Sequence, residues 1–166
     1  MIVKDNFLDK EAFERIKERL FSTTFPWYAQ NFSDHITDNN PPIQHLLFDN
    51  NRINSEDFLL FETLYEKLGV IAMIRAKLLM TLKYEGHDNI FHTDIETLVK
   101  KHKKKIKSKT AILYLNTNDG GTEFKDRQIV ESIENRIIIF NSDVKHRTIK
   151  HKTGHPFRYL LNLNYF

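Results

Sequence analysis

The hydrophobic period of this chain changes part of the way along it. In "DKEAFERIKERLF" the apolar residues Phe13, Ile16 and Leu20 recur three and four apart behind Asp9, and the spacing predicts a helix over residues 9–20 with Asp9 as its N-cap. The segment 25–42, "FPWYAQNFSDHITDNNPP", is rich in Asn, Asp and Pro and reads as irregular, anchored by Phe25, Trp27 and Tyr28. A second helix is expected from Asn54 or Ser55 through "SEDFLLFETLYEKLG", closed by Gly69. Beyond it the pattern is that of strands: 75–85 alternates in part, 109–117 and 135–143 are short apolar runs, and "VKHRTIKH" and "FRYLLNLNYF" follow, separated by turns such as "NTNDGG" and "KTGHP". Helices first and strands afterwards predict an α+β domain whose strands roll into a sandwich or barrel with the helices packed outside.

Composition narrows the chemistry. At 166 residues, 40% hydrophobic and 28% charged, with thirteen Phe and six Tyr, one globular domain over residues 1–166 is expected. There is no cysteine, so disulfides, thiolate metal sites and a cysteine nucleophile are excluded, and any metal must be held by histidine and carboxylate. No stretch reads as a secretory leader or a membrane span, which sets a soluble, cytoplasmic protein without membrane partners as the expectation. The net charge of +3 is unevenly placed, because segment 99–109 holds seven lysines, the first Lys100 and the last Lys109. A solvated loop or helix face is the favoured reading of that run, and a phosphate or nucleic-acid contact the weaker one, since no aromatics are interleaved.

The stretch "NIFHTDIE", residues 89–96, sets His92 and Asp94 two apart, so that on a strand both would face one point. A third ligand should come from another strand near the same end of the barrel, and His146, which follows the strand 136–140 after a short "NSD" turn, is the choice. His87 lacks a carboxylate two positions on, while His151 and His155 fall in a turn-like basic segment, so none of these is chosen. Two imidazoles and one carboxylate on one face of an octahedron leave three positions open, the arrangement of non-haem Fe(II) oxygenases. Arg158, within the apolar "PFRYLLNLNYF", would need an anion inside a barrel, and its planar fork suits a carboxylate.

Taken together, "FHTD", "TAILYLNTNDGGTEF", "VESIENRIIIFNSDVKH" and "RYLLNLNYF" resemble the iron- and 2-oxoglutarate-dependent dioxygenases of the prolyl-4-hydroxylase-like kind. The resemblance covers nearly the whole chain. It implies a double-stranded β-helix, the jelly-roll or cupin-like core, and a metal-binding oxidoreductase using Fe(II), 2-oxoglutarate and O2. His92, Asp94 and His146 would hold the iron and Arg158 would pair with the far carboxylate of 2-oxoglutarate. Tyr84 and Tyr114 are either further contacts to that co-substrate or core aromatics, the core reading being preferred. The implied reaction is hydroxylation of an organic substrate, a peptidyl prolyl residue first, coupled to decarboxylation of 2-oxoglutarate to succinate. Peptides or small molecules are the favoured substrates; a nucleobase or phosphate-bearing substrate held by the lysines, and a non-catalytic β-barrel binding module, are the rivals. Two departures stand out: Leu160 replaces the polar residue that many relatives carry two after the arginine, and the lysine-rich connection is longer than usual. Gly120 and Gly121 are expected as turn formers with positive φ, and Glu123 as either a substrate contact or a residue of the strand's wet face.

Overall fold

A computed structural model describes residues 1–29, 43–83, 90–94 and 107–166. Helix α1 (Lys10–Leu20) begins where expected: the Asp9 side chain accepts from the Ala12 amide at 2.9 Å, and Phe13, Ile16 and Leu20 are buried. The second helical stretch opens as a 3₁₀ turn, Glu56–Phe61, capped by Ser55, and continues as α2 (Glu62–Leu68) up to Gly69 in the left-handed conformation. Positive φ is what makes glycine fit at that C-terminus.

Eleven strands are described: β1 (Ile2–Lys4), β2 (Tyr28–Ala29), β3 (Ile43–Asp49), β4 (Arg52–Ile53), β5 (Met73–Leu82), β6 (Lys109–Tyr114), β7 (Gly121–Phe124), β8 (Ile129–Glu131), β9 (Ile137–Asn141), β10 (His146–Ile149) and β11 (Phe157–Tyr165). They form a large antiparallel sheet, ordered β1-β9-β6-β11-β5-β3-β2 with β4 on β3, and a small one, ordered β10-β7-β8. A single bridge between His92 and His146 adds the 90–94 segment to the free edge of β10. From β5 onward the chain therefore passes back and forth between the sheets: β5 large, 90–94 small, β6 large, β7 and β8 small, β9 large, β10 small, β11 large. That alternation is a double-stranded β-helix, the jelly-roll architecture expected from the sequence.

Two apolar clusters lie on opposite faces of the large sheet. One joins α1, the 3₁₀ turn and α2 to Leu47, Ala76, Leu78, Leu113, Leu161 and Leu163. The other fills the space between the sheets with Ile112, Tyr114, Phe124, Val130, Ile138, Phe140 and Leu160.

The sequence reading needs several corrections. β3 was not expected, because its "IQHLLFD" run is short and follows a Pro-rich stretch; β1 was not either, being three exposed residues on the sheet's edge. Tyr28 is exposed on β2 rather than an anchor, whereas Phe25 is buried and Trp27 packs against the helix-side core. Among the described glycines, positive φ belongs to Gly69 and Gly154, not to Gly120 or Gly121. Those two are glycine because of close approach: a Cβ on Gly120 would lie 2.9 Å from the Ile149 carbonyl oxygen, and one on Gly121 would strike the Val130 carbonyl. Among the described residues no helix is long and apolar enough to cross a membrane.

Candidate metal centre

His92 and Asp94 do not lie on a regular strand. His92 forms the one-residue bridge and Asp94 is in a turn, yet both side chains reach the same point. The bridge explains the pairing of the histidines: His92 N–H donates to His146 O at 2.9 Å and His146 N–H donates to His92 O at 3.0 Å. Residues directly opposite in such a pair carry their side chains on the same face. The two rings accordingly sit 4.8 Å apart, centroid to centroid.

Their nitrogens are sorted by the backbone. Nδ1 of His92 lies 3.1 Å from Ile90 O, and Nδ1 of His146 lies 3.1 Å from Val144 O. A carbonyl only accepts, so each Nδ1 carries the proton and each Nε2 presents a lone pair. Both Nε2 atoms lie near one atom, Asp94 Oδ1, at 3.9 Å from His92 and 3.8 Å from His146. Ligand atoms of the three residues all lie within 4.8 Å of one another. The separations are too long for direct hydrogen bonds and leave room for an ion among the three atoms. Two neutral imidazoles and a carboxylate, without thiolate, suit a borderline or hard divalent transition metal such as iron.

The surroundings hold this geometry. His146 is 3% exposed, with Phe140 edge-on at 4.8 Å and Phe124 at 6.2 Å, so its ring is fixed by packing; the surface position its basic neighbours suggest does not occur. Burial alone would push the Asp94 carboxyl up, but the positive charges around it, from His146 and His92 when protonated and from Lys77 and Arg75, outweigh it and hold the group well below the ordinary carboxylate range. Asp94 is therefore an anion at neutral pH, as ligation requires.

Arg158 lies in the same space between the sheets, four positions along β11 from Asn162, which touches Asp94. That offset is about 13 Å of strand. The arginine is fully buried; Nη2 donates to Gly121 O at 3.0 Å, a longer contact of 3.5 Å runs from Nη1 to Ile149 O, and Nε has no partner. Among the described residues no carboxylate pairs with it. Burial pushes the guanidinium down from its ordinary value, with Tyr114 acting the other way, yet an arginine stays protonated at physiological pH. A buried cation supported by two carbonyls and the Tyr114 side chain, with no carboxylate beside it among the described residues, is a site that an anion would complete.

Tyr114 is a core aromatic, the preferred of its two expected roles. It belongs to the inter-sheet core, its hydroxyl donates to Thr122 Oγ1 at 2.7 Å, and the guanidinium carbon of Arg158 stands 5.4 Å from its ring centroid. Leu160 joins the same core, so the position where relatives carry a polar group is apolar here. Tyr84 and His87 lie outside the described residues, as do Lys100 to residue 106 of the lysine run; Lys109 donates to Asn141 Oδ1 at 2.8 Å. Glu123 pairs with Arg147 at 2.6 Å on the outer side of the small sheet. His151 is fully buried rather than in an open turn, with Nε2 on Pro156 O at 3.3 Å, and it takes no part in the cluster.

The sequence reading missed four residues around Asp94: Arg75, Thr110, Asn162 and Asn164. Their signal was available, since Asn162 and Asn164 stand four and six positions after Arg158 and so share its face of a strand.

No protein-family model and no curated protein sequence matches the chain. Solved structures do. An oxidoreductase of the 2OG-Fe(II) oxygenase family from Burkholderia pseudomallei is 12% identical, with a TM-score of 0.65 over 99% of this chain and 84% of its own. The non-heme alpha-ketoglutarate-dependent epimerase SnoN from nogalamycin biosynthesis is 12% identical, with a TM-score of 0.67 over 99% of this chain and 76% of its own. A prolyl hydroxylase from Trichoplax adhaerens, solved with a peptide fragment of the hypoxia inducible factor oxygen degradation domain, is 13% identical, with a TM-score of 0.63 over 99% and 82%. At such identities the likeness is one of architecture, and the architecture of this chain is that of the 2OG-Fe(II) oxygenases, prolyl hydroxylases among them.

Proposed function

We propose that the chain is an Fe(II)- and 2-oxoglutarate-dependent oxygenase, acting as one domain over residues 1–166 and hydroxylating a peptidyl residue, prolyl in the first instance. The observation that carries this reading is the meeting, inside one barrel, of the His92, Asp94 and His146 ligand atoms with a buried Arg158 that lacks an anion. The donor set fits iron and a buried guanidinium with an unpartnered Nε fits a carboxylate, so the two groups in the space between the sheets suit the two components of one reaction.

In this reading His92 Nε2, His146 Nε2 and Asp94 Oδ1 would hold the metal. Iron bound there with 2-oxoglutarate supplies the activation of oxygen that couples decarboxylation to succinate with hydroxylation of a C–H bond. Arg158 would orient the co-substrate through its far carboxylate, and Tyr114, whose ring stands beside the guanidinium and whose hydroxyl burial keeps neutral, would be the further contact. Leu160, Phe124, Phe140 and Ile138 pack between the sheets and would keep water away from the buried side of the site. A peptide substrate is favoured because the Trichoplax neighbour was solved with a peptide fragment, and hydroxylation of a small molecule is the next choice.

The test is succinate formation. Protein purified without oxygen, loaded with Fe(II) and 2-oxoglutarate and then exposed to O2, is expected to release succinate, and Asp94→Ala is expected to release none. A chain that binds neither Fe(II) nor 2-oxoglutarate would instead be a non-catalytic β-barrel module.

A further inference from the structure

The three ligands account for only one of the two Asp94 oxygens. Oδ1 faces the histidines, while Oδ2 accepts three hydrogen bonds: from Thr110 Oγ1 at 3.2 Å, Asn162 Nδ2 at 3.2 Å and Asn164 Nδ2 at 3.1 Å. The donors come from two adjacent strands of the large sheet, since β6 supplies Thr110, β11 supplies both asparagines, and Thr110 is registered opposite Asn164.

Proton counting fixes the orientation of each group. Arg75 Nη2 donates to Asn164 Oδ1 at 3.1 Å, and a guanidinium has no acceptor, so that amide oxygen must point at Arg75 and its NH2 at Asp94. One Asn164 N–H then serves Asp94 and the other serves Thr110 Oγ1 at 3.0 Å. Thr110 directs its single proton to Asp94, and the Ser142 hydroxyl at 3.0 Å lies on its other side. Arg75 Nη2 also donates to the Asp94 backbone carbonyl at 3.2 Å, tying the turn itself to the same network. Asn162 leaves its own Oδ1 buried and without a partner. A buried orphan acceptor is costly, and turning the amide round would aim that oxygen at an anion.

A carboxylate oxygen has about two lone-pair directions, so three donors saturate Oδ2. Asp94 cannot then chelate through both oxygens.

Resting on the metal reading above, we propose that Asn162, Asn164 and Thr110, backed by Arg75, are positioning residues that make Asp94 a one-oxygen ligand. The clamp keeps a coordination position open that a two-oxygen carboxylate would occupy, and it prepays the ordering of a ligand that sits in a turn rather than on a strand. Residues two shells from a metal commonly shift affinity by about 10–100-fold.

The experiment is a Co(II) titration followed by the visible absorption of the bound ion, with no turnover involved. Thr110→Val removes the hydroxyl and keeps the shape; Asn162→Leu removes the amide at a position that already has an orphaned oxygen. Each is expected to weaken Co(II) binding by about tenfold or more, and the double variant, which leaves Oδ2 a single donor, to alter the absorption of the bound ion as well, as Asp94 swings to two-oxygen ligation, while Thr110→Ser keeps the wild-type affinity and spectrum. The Val and Ser variants fold or fail independently of Asn162→Leu, so one unstable variant does not decide the matter. Unchanged affinity in Thr110→Val and in a folded Asn162→Leu, or an unchanged spectrum in the double variant, would overturn the clamp, the wild type still binding cobalt. If the wild type took up no cobalt, the metal reading would fall and the clamp with it.

Discussion

β11 has two faces that obey different rules. Tyr159, Leu161, Leu163 and Tyr165 turn toward the helices and join an apolar core, whereas Arg158, Leu160, Asn162 and Asn164 turn toward the small sheet. Leu160 apart, the second set is polar and buried, with Asn162 and Asn164 donating to Asp94 and Arg158 to Gly121 O. Residues on a strand alternate between faces by geometry alone, so one nine-residue segment can contribute to stability and to chemistry without either interfering with the other. The helix-side face resembles any hydrocarbon core. The inner face carries desolvated polar groups that a protein optimised only for stability would replace with apolar ones.

That contrast can be broken residue by residue. Leu161→Ala, on the helix side, should lower unfolding free energy by about 2–5 kcal/mol and leave ligand binding intact, as denaturant melts and binding titrations on one sample would reveal. Arg158→Leu, on the inner side, should behave in the opposite way: 2-oxoglutarate affinity falls by about 2–5 kcal/mol, because a buried charge pair loses one member, while the melt shows no comparable loss. An Arg158→Leu protein with unaltered 2-oxoglutarate affinity would remove the arginine from the site.

Lys77, registered opposite Asn162 on β5, gives a smaller effect that depends on pH. Burial, helped by Arg75, pushes its ammonium down from 10.5 to about 8, against the attraction of Asp94 and Asp49. Between pH 8 and 10.5 the unfolded chain therefore holds a proton that the folded one has released, so this residue makes stability rise with pH across that window; below it, both forms are protonated and the penalty is constant. Lys77→Met should raise the melting temperature at pH 7 and flatten its rise above pH 8. An identical slope in the variant would refute the assignment. The smallest effect belongs to Asp9→Ala, which removes the cap of α1 and should cost about 1 kcal/mol with no change at the metal centre.

What could be read from the sequence follows the same division. Helical period and capping residues gave α1 and α2 because their signals are local. That His92, Asp94 and His146 gather at one point, and that Arg158 lies inside the barrel, was readable because few residue types suit such places and their order along the chain is restrictive. The one-residue bridge that sets the histidines side by side was not readable, since it depends on register between segments more than fifty residues apart. Asn162 and Asn164 were passed over because asparagine on a strand ordinarily signals a wet face, and only tertiary structure reveals that this face is buried. Gly120 and Gly121 mislead in a similar way: their requirement is contact with the Ile149 and Val130 carbonyls, not backbone conformation.

The central claim is that the histidine–aspartate cluster and Arg158 form one site. Calorimetric titration of 2-oxoglutarate without oxygen, in the presence and absence of Mn(II) as an inert substitute for iron, tests it directly across wild type, His146→Ala and Arg158→Leu. The account predicts tight binding only when the metal, His146 and Arg158 are all present. Binding of 2-oxoglutarate with equal affinity in all three proteins, with or without the metal, would contradict it.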